Sequence, residues 1–297
     1  MNPLFQCASA QWVRYSAYEF CKAQDGKQYL TPAKNAKPEV YDPITTADDM
    51  VLDALNAGLL CMNHADEEVI RTAVISFVSH YGLLGLMTAL PTTPTFMDYE
   101  AVYLPTNRFI REEHMETDAY LSLFFPFEKP TLAKRGMESI GSISDKTAIA
   151  LAIAFRNSPL AVQMSFGREY AERYDWIVAQ LKDWAFAFVS SFLYYQDYDM
   201  LGEAERDLYR KGMAAYDGIA PSYHVELRDK PTVVWDFHSL LLTIHILFTQ
   251  LLTDDKAPLK LCKRCQKVFM AKRADAAFCS MRCKNQYNVY KNRAKNE

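Results

Sequence analysis

Residues 262–283 read CKRCQKVFMAKRADAAFCSMRC and carry Cys262, Cys265, Cys279 and Cys283 in the spacing C-x2-C-x13-C-x3-C. The chain has seven cysteines in 297 residues, and the other three, Cys7, Cys21 and Cys61, follow no pattern. Two close pairs joined by a short loop supply what tetrahedral Zn²⁺ needs, since each pair closes half of the coordination sphere. The alternative is a set of four structural thiols. The N-terminal MNPLFQCASAQWVRYSAYEF lacks a basic stretch followed by an apolar run, so no secretory signal is expected. A reducing, cytoplasmic setting follows as an expectation. There, clustered cysteines serve metals more often than disulfides.

The flanks predict local geometry. Cys262 and Cys265 read as a tight knuckle, Val268, Phe269 and Met270 as a strand, and Phe278 as an aromatic cover before the second pair. Cys279 and Cys283 stand at i and i+4, so both thiols can point from the first turn of a helix whose dipole favours thiolate.

Charge divides the chain at the same place. Residues 256–297 contain 12 lysines and arginines against Asp275 and Glu297, a balance of +10. The 255 residues before them hold 21 basic and 34 acidic residues, a balance of −13. A basic tail on an acidic body is the asymmetry expected of a module that faces nucleic acid, and the alternative is a tail that docks on its own body. The segment TDDKAP, residues 253–258, reads as the linker between a body, 1–255, and a four-cysteine module, 256–297.

After Cys283 the chain continues KNQYNVYKNRAKNE. On a helix, Lys284, Asn288, Lys291 and Lys295 share one face, with Tyr287 and Tyr290 beside it. Arg282, Arg293, Lys272 and Arg273 add positive charge. Lysine and arginine neutralise phosphates, asparagine pairs with adenine edges, and tyrosine stacks on unpaired bases. DNA or RNA is one expected partner. A protein partner or a second copy of the chain is another, and a solvated cap over the metal is the third reading.

CxxC, an aromatic residue four positions on, and FCSMRCK together resemble treble-clef-like zinc ribbons of bacterial proteins. The stretch is similar to the zinc module of the small gyrase-inhibitor family. It also resembles the C-terminal zinc finger of CGNR-type transcription regulators, with Gln266 in place of a knuckle glycine and KNQ in place of GNR after Cys283. Those resemblances imply a zinc-ribbon or treble-clef fold for the tail. YGLLGL (residues 81–86) and YLPTNRFIREEHMETDAYLSLFFPF (residues 103–127), ahead of such a ribbon, resemble an uncharacterised bacterial family, which implies no activity.

The body is half hydrophobic in keeping with the chain as a whole, and glycine and proline are scarce, at 10 and 13 residues. Long regular elements are expected. Thr31–Pro43 reads as an extended connection, and helices are expected over about 46–63, 66–81, 118–124, 145–157, 168–196, 202–216 and 233–252. Strands are expected at 99–104 and 222–228 only, so the fold class reads as mainly α with one small sheet. Leu240–Leu252 is too short and too interrupted by polar residues to span a bilayer.

Enzymatic signals are thin. Arg108 and His114 match the loose R-x4-6-H spacing of small helical ribonucleases. His238 and His245 lie at i and i+7 and read as core histidines. No phosphate-binding glycine loop, HExxH or GxSxG is present. The sequence therefore predicts a non-enzymatic zinc-binding protein that meets nucleic acid or acts as a regulator through its tail. A protein–protein adaptor with structural zinc is the alternative, and a helical ribonuclease the third reading.

Overall fold

A buried carboxylate organises the first of two compact units. A computed structural model describes residues 8–90, 101–127, 170–197, 200–214, 216, 218, 220–254, 258–273 and 275–293. Unit one comprises Met1–Thr46, Arg71–Ala179 and Gly218–Ile244, and unit two Ala47–Ile70, Gln180–Asp217 and His245–Glu297.

The expectation of a mainly α protein with one small sheet is wrong. The described residues form five small sheets among the helices, a mixed α/β fold. In unit one, β2 (Trp12–Tyr15) pairs antiparallel with β5 (Pro38–Tyr41), and β3 (Tyr18–Lys22) pairs antiparallel with β4 (Gln28–Pro32). β4 also takes β8 (Glu172–Arg173) on its other side. β6 (Ala101–Tyr103) pairs with β7 (His114–Glu116), just before the short helix α3 (Thr117–Ser122). β9 (Ser222–Leu227) and β10 (Pro231–Asp236) make a hairpin, and β1 (Ala8–Ser9) runs parallel to β10.

These strands are short, between two and six residues. A stripe of such length gives too few repeats for period-2 alternation to stand out, whereas 15-residue helices show their period plainly. Hence the segment 31–43, expected as a connection, supplies the end of β4 and all of β5. The expected helix over 233–252 begins only at Leu240, because Val233–Asp236 belong to β10. The expected helix over 145–157 lies outside the described residues.

Four distant segments of unit one meet at the loop 82–86. Glu172 is fully buried in β8 and accepts from the backbone N–H groups of Leu84 at 2.8 Å, Leu86 at 3.0 Å and Gly85. The Tyr170 hydroxyl donates to the same carboxylate. Burial pushes the Glu172 carboxyl above its ordinary value, while these donors pull it back. The loop's carbonyls are used as well. Trp12 Nε1 donates to Leu83 O at 2.8 Å, and Leu241 N donates to Leu84 O at 2.7 Å. Gly85 has φ +72°, and a Cβ there would meet the Trp12 ring at 2.7 Å, so only glycine fits.

Unit two is built on helices. α1 (Ala47–Met62) buries Met50, Val51, Ala54 and Leu55 on one side. Gly58 of α1 lies so close to Leu181 and Ala185 of α4 (Tyr174–Asp197) that a side chain would strike the Leu181 carbonyl. In the part of α6 (Leu240–Leu252) that falls in this unit, Tyr216 stacks on His245 with ring centroids 4.8 Å apart. α5 (Glu203–Ala214) also belongs to this unit, while α2 (Glu67–Tyr81) starts in it and continues from Arg71 as part of unit one. No described helix is long and apolar enough to cross a membrane.

Glu172→Gln would set an amide NH₂ against backbone donors that it cannot satisfy. Its unfolding free energy should fall by about 2–4 kcal/mol in a denaturant titration. Gly85→Ala should lose at least about 2 kcal/mol, from a strained φ and from the clash with Trp12. Midpoints unchanged from the native chain would show that the loop is not held as described.

Candidate metal centre and the basic helix

The last described segment folds around the cysteines. β11 (Leu259–Leu261) and β12 (Val268–Met270) pair antiparallel, with Leu261 opposite Val268. Their connection is the expected knuckle. Cys262 N donates to Lys267 O, and Gln266 N to Cys262 O, both at 2.9 Å. The turn brings Gln266 to φ 58°, a left-handed conformation that glycine adopts without strain. Lys263 N donates to Ala277 O at 3.0 Å and so ties the knuckle to the approach of the second cysteine pair.

That pair opens helix α7 (Met281–Arg293). Ser280 is its N-cap: its hydroxyl accepts from Cys283 N at 3.2 Å, and its carbonyl from Lys284 N at 3.1 Å. Cys279 thus sits just before the helix and Cys283 in its first turn. Phe278 packs against Tyr287 at 5.2 Å between centroids, and the Arg264 guanidinium lies 4.8 Å over the Tyr290 ring. Both contacts fasten the helix to the knuckle.

The four sulfurs lie within 4.8 Å of one another, and this set could hold a metal ion. Cys265 and Cys279 are 3.7 Å apart, Cys279 and Cys283 3.5 Å. A disulfide needs about 2.05 Å. A tetrahedron of sulfurs each about 2.3 Å from a central Zn²⁺ has edges of roughly 3.8 Å, close to these two separations. Electrostatics point the same way. Burial pushes the Cys279 thiol up to about 12, and hydrogen bonding with neighbouring thiols adds to the rise. Burial also raises Cys265. At Cys262 burial acts upward too, but backbone N–H groups of Cys265, Cys279 and Arg264 outweigh it and hold the thiol down to about 6. Four thiolates at this spacing repel, and a cation at their centre removes the penalty.

The module rests on α1 through one side chain that sequence reasoning missed. Asn56 Oδ1 accepts from Val268 N at 2.8 Å, while its Nδ2 donates to Val268 O at 3.2 Å and Leu52 O at 2.9 Å. The amide copies a strand's donor and acceptor and pairs β12 from a helix. The one cue in the sequence is an asparagine set among Leu52, Leu55, Leu59 and Leu60 on an otherwise apolar helix.

Lys272, Arg282, Lys284, Asn288, Lys291 and Arg293 are all exposed. Arg273 is exposed and pairs with Asp275 at 3.2 Å. Lys295 lies outside the described residues. Within α7, only Cys283 and Tyr287 are even half-buried among the residues whose burial is described.

The remaining candidates do not assemble. Arg108 is partly desolvated, which lowers its pKa, and its guanidinium lies over Phe109. His114 begins β7, with its ring 6.0 Å from Tyr103. The segment from 104 to 113 is not helical, so the helical spacing that suggested a ribonuclease is not formed. His238 bonds Ser222, and His224 Nδ1 bonds Asp236 at 2.7 Å. No protein-family model, no curated protein and no solved structure matches this chain.

Asn56→Ala removes both bonds to Val268. A loss of about 1–3 kcal/mol in stability is expected, because a part-buried N–H is left without its acceptor. Gln266→Gly should be neutral or stabilising within about 1 kcal/mol, as relief of the left-handed strain offsets the added freedom of the unfolded chain. Thermal unfolding of the two variants beside the native chain measures both, and equal midpoints for all three would contradict the Asn56 assignment.

Proposed function

We propose that the tail is a structural zinc module and that its basic helix contacts nucleic-acid phosphates. Four sulfur donors fill a tetrahedral shell and leave no open position for a substrate or an activated water, which favours a structural ion over a catalytic one. Thiolate softness favours Zn²⁺ over Mg²⁺ or Ca²⁺. The ion would hold Cys279 and Cys283 and so fix the direction of α7 from its first turn.

The observation that carries the nucleic-acid reading is the exposure of α7. Arg282, Lys284, Lys291 and Arg293 project from a helix with no fully buried residue among those whose burial is described. A helix so held at one end fits a groove, where lysine and arginine displace counterions from phosphates. Protein contact is the second reading, favoured by exposed Met281, Val289 and Tyr290 on the same helix.

Metal analysis of the purified chain should give about one zinc per chain, lost in Cys279→Ser. Fluorescence anisotropy with labelled DNA and RNA should show affinity that falls steeply with salt. Lys284→Glu with Lys291→Glu should weaken binding to every sequence and flatten the logarithmic salt slope by about two. Asn288→Ala should alter base preference instead. Absence of binding at low salt, with zinc bound, would refute the nucleic-acid reading and leave the apolar residues of α7 as a protein-docking face.

A further inference from the structure

The hairpin of β9 and β10 presents an open edge and an uncovered apolar face together. The sheet runs β1-β10-β9, so among the described residues β9 pairs on one side only. All six of its residues are exposed. Alternation puts Tyr223, Val225 and Leu227 on one face and Ser222, His224 and Glu226 on the other. The apolar three are 64%, 62% and 81% exposed, and Val233 opposite Val225 adds to the same face. Natural edge strands are usually blunted by proline, lysine, a bulge or brevity. β9 has none of these within its six residues.

We propose that β9 is a self-association edge: two copies of this chain pair antiparallel through Ser222–Leu227 and join their sheets across a twofold axis at Val225. The occupant is argued from charge. Antiparallel pairing of two identical strands that keeps each face continuous allows an axis at a residue, with registers two residues apart. With the axis at Val225, His224 faces Glu226 of the second copy twice, Tyr223 faces its Leu227 twice, and Val225 meets its own counterpart. With the axis at Glu226, two glutamates oppose each other and His224 faces Arg228, which is unfavourable. With the axis at His224, two imidazoles oppose each other and the carboxylate meets only Ser222. One register therefore matches both charge and shape. In each chain Asp236 already binds His224 Nδ1 at 2.7 Å, which fixes the ring, and in the imidazolium form Nε2 can donate to the second copy's Glu226. Arg228, at 2.8 Å from Glu226, orients that carboxylate. β9 belongs to unit one and the metal module to unit two, and the proposal does not rest on the zinc or nucleic-acid reading.

Sedimentation velocity of the full chain tests the proposal. The native protein should sediment at twice the 34.1 kDa chain mass at micromolar concentration. Glu226→Lys and His224→Glu should each sediment as single chains, because the first replaces the carboxylate facing His224 by an ammonium and the second sets two carboxylates face to face. Mixing the two variants should restore the doubled mass, since the carboxylate introduced in one then meets the ammonium introduced in the other. In case a variant folds poorly, hydrogen exchange on the native chain gives an independent readout: amides of 222–227 should gain protection as concentration rises. A native chain that sediments as one copy throughout its soluble range, without concentration-dependent protection of β9, overturns the proposal. A dimer that survives both charge reversals overturns it too.

Discussion

A single carboxylate with at least four donors is the constraint on which unit one rests. Glu172 could not be buried as an anion without them, because a lone charge in an apolar interior is strongly disfavoured. The donors in turn could not be buried without Glu172, since among the described residues loop 82–86 has no strand partner to accept its N–H groups. The loop and β8 are thus conditional on one another, although some 86 to 88 residues separate them in sequence. Trp12 and Leu241 then use the carbonyls of the same loop, and Thr31 bonds Tyr170 O at 3.0 Å beside it. Long-range polar contacts of this kind stand in for a large sheet. They hold together several two- and three-stranded pieces that would be marginal in isolation.

Unit two meets the same problem at smaller scale. The tail segment has few buried apolar side chains, chiefly Leu259 and Val268, beside the buried Cys262. A module of that size lacks the core to fold on apolar burial alone, and small domains of this kind draw their stability from metals or docking. Docking is visible in the geometry, and four sulfurs close enough to hold a metal ion stand beside it. The sulfurs converge on a point, and Asn56 pairs the backbone of β12 from α1. One consequence is an asymmetric helix. α7 is capped at its N-terminus by Ser280 and tied to the knuckle by ring contacts at Tyr287 and Tyr290, while Lys291 and Arg293 beyond them are exposed.

The sequence made the cysteine site legible because the information is local. Spacing alone pairs Cys262 with Cys265 and Cys279 with Cys283, although Cys279 stands just before the helix and only Cys283 in its first turn. Helices α1, α2 and α5 were readable for the same reason, as their apolar periodicity repeats over several turns. The sheets were not. β1 meets β10 across more than two hundred residues, and β8 is two residues long. Nothing in the string VVWD distinguishes a strand end from the start of the apolar helix that follows. Asn56 and Glu172 were missed on similar grounds: a polar side chain that replaces a backbone partner leaves no period and no spacing.

The position of charge on α7 has two physical explanations, and they separate by what they demand. Lys291 and Arg293 at the C-terminal end complement the helix dipole, and the N-terminal turn carries the thiols that the dipole's positive end favours. That alone accounts for a stable helix. It does not account for Arg282 and Lys284, which sit in the first turn, where a cation is unfavourable. If Cys279, Cys283 and the other two cysteines hold a divalent cation as thiolates, the resulting net charge of −2 at the helix start would compensate them. Early basic residues would then be tolerated because such a site is anionic, which would link the charge pattern of the helix to metal binding by the cysteines. Without an ion the raised Cys265 and Cys279 would carry protons while Cys262, held down to about 6, would keep its charge, so much of the compensation would be lost. The exposed Arg282 and Lys284 would on that condition be favoured most when the cysteines hold a metal.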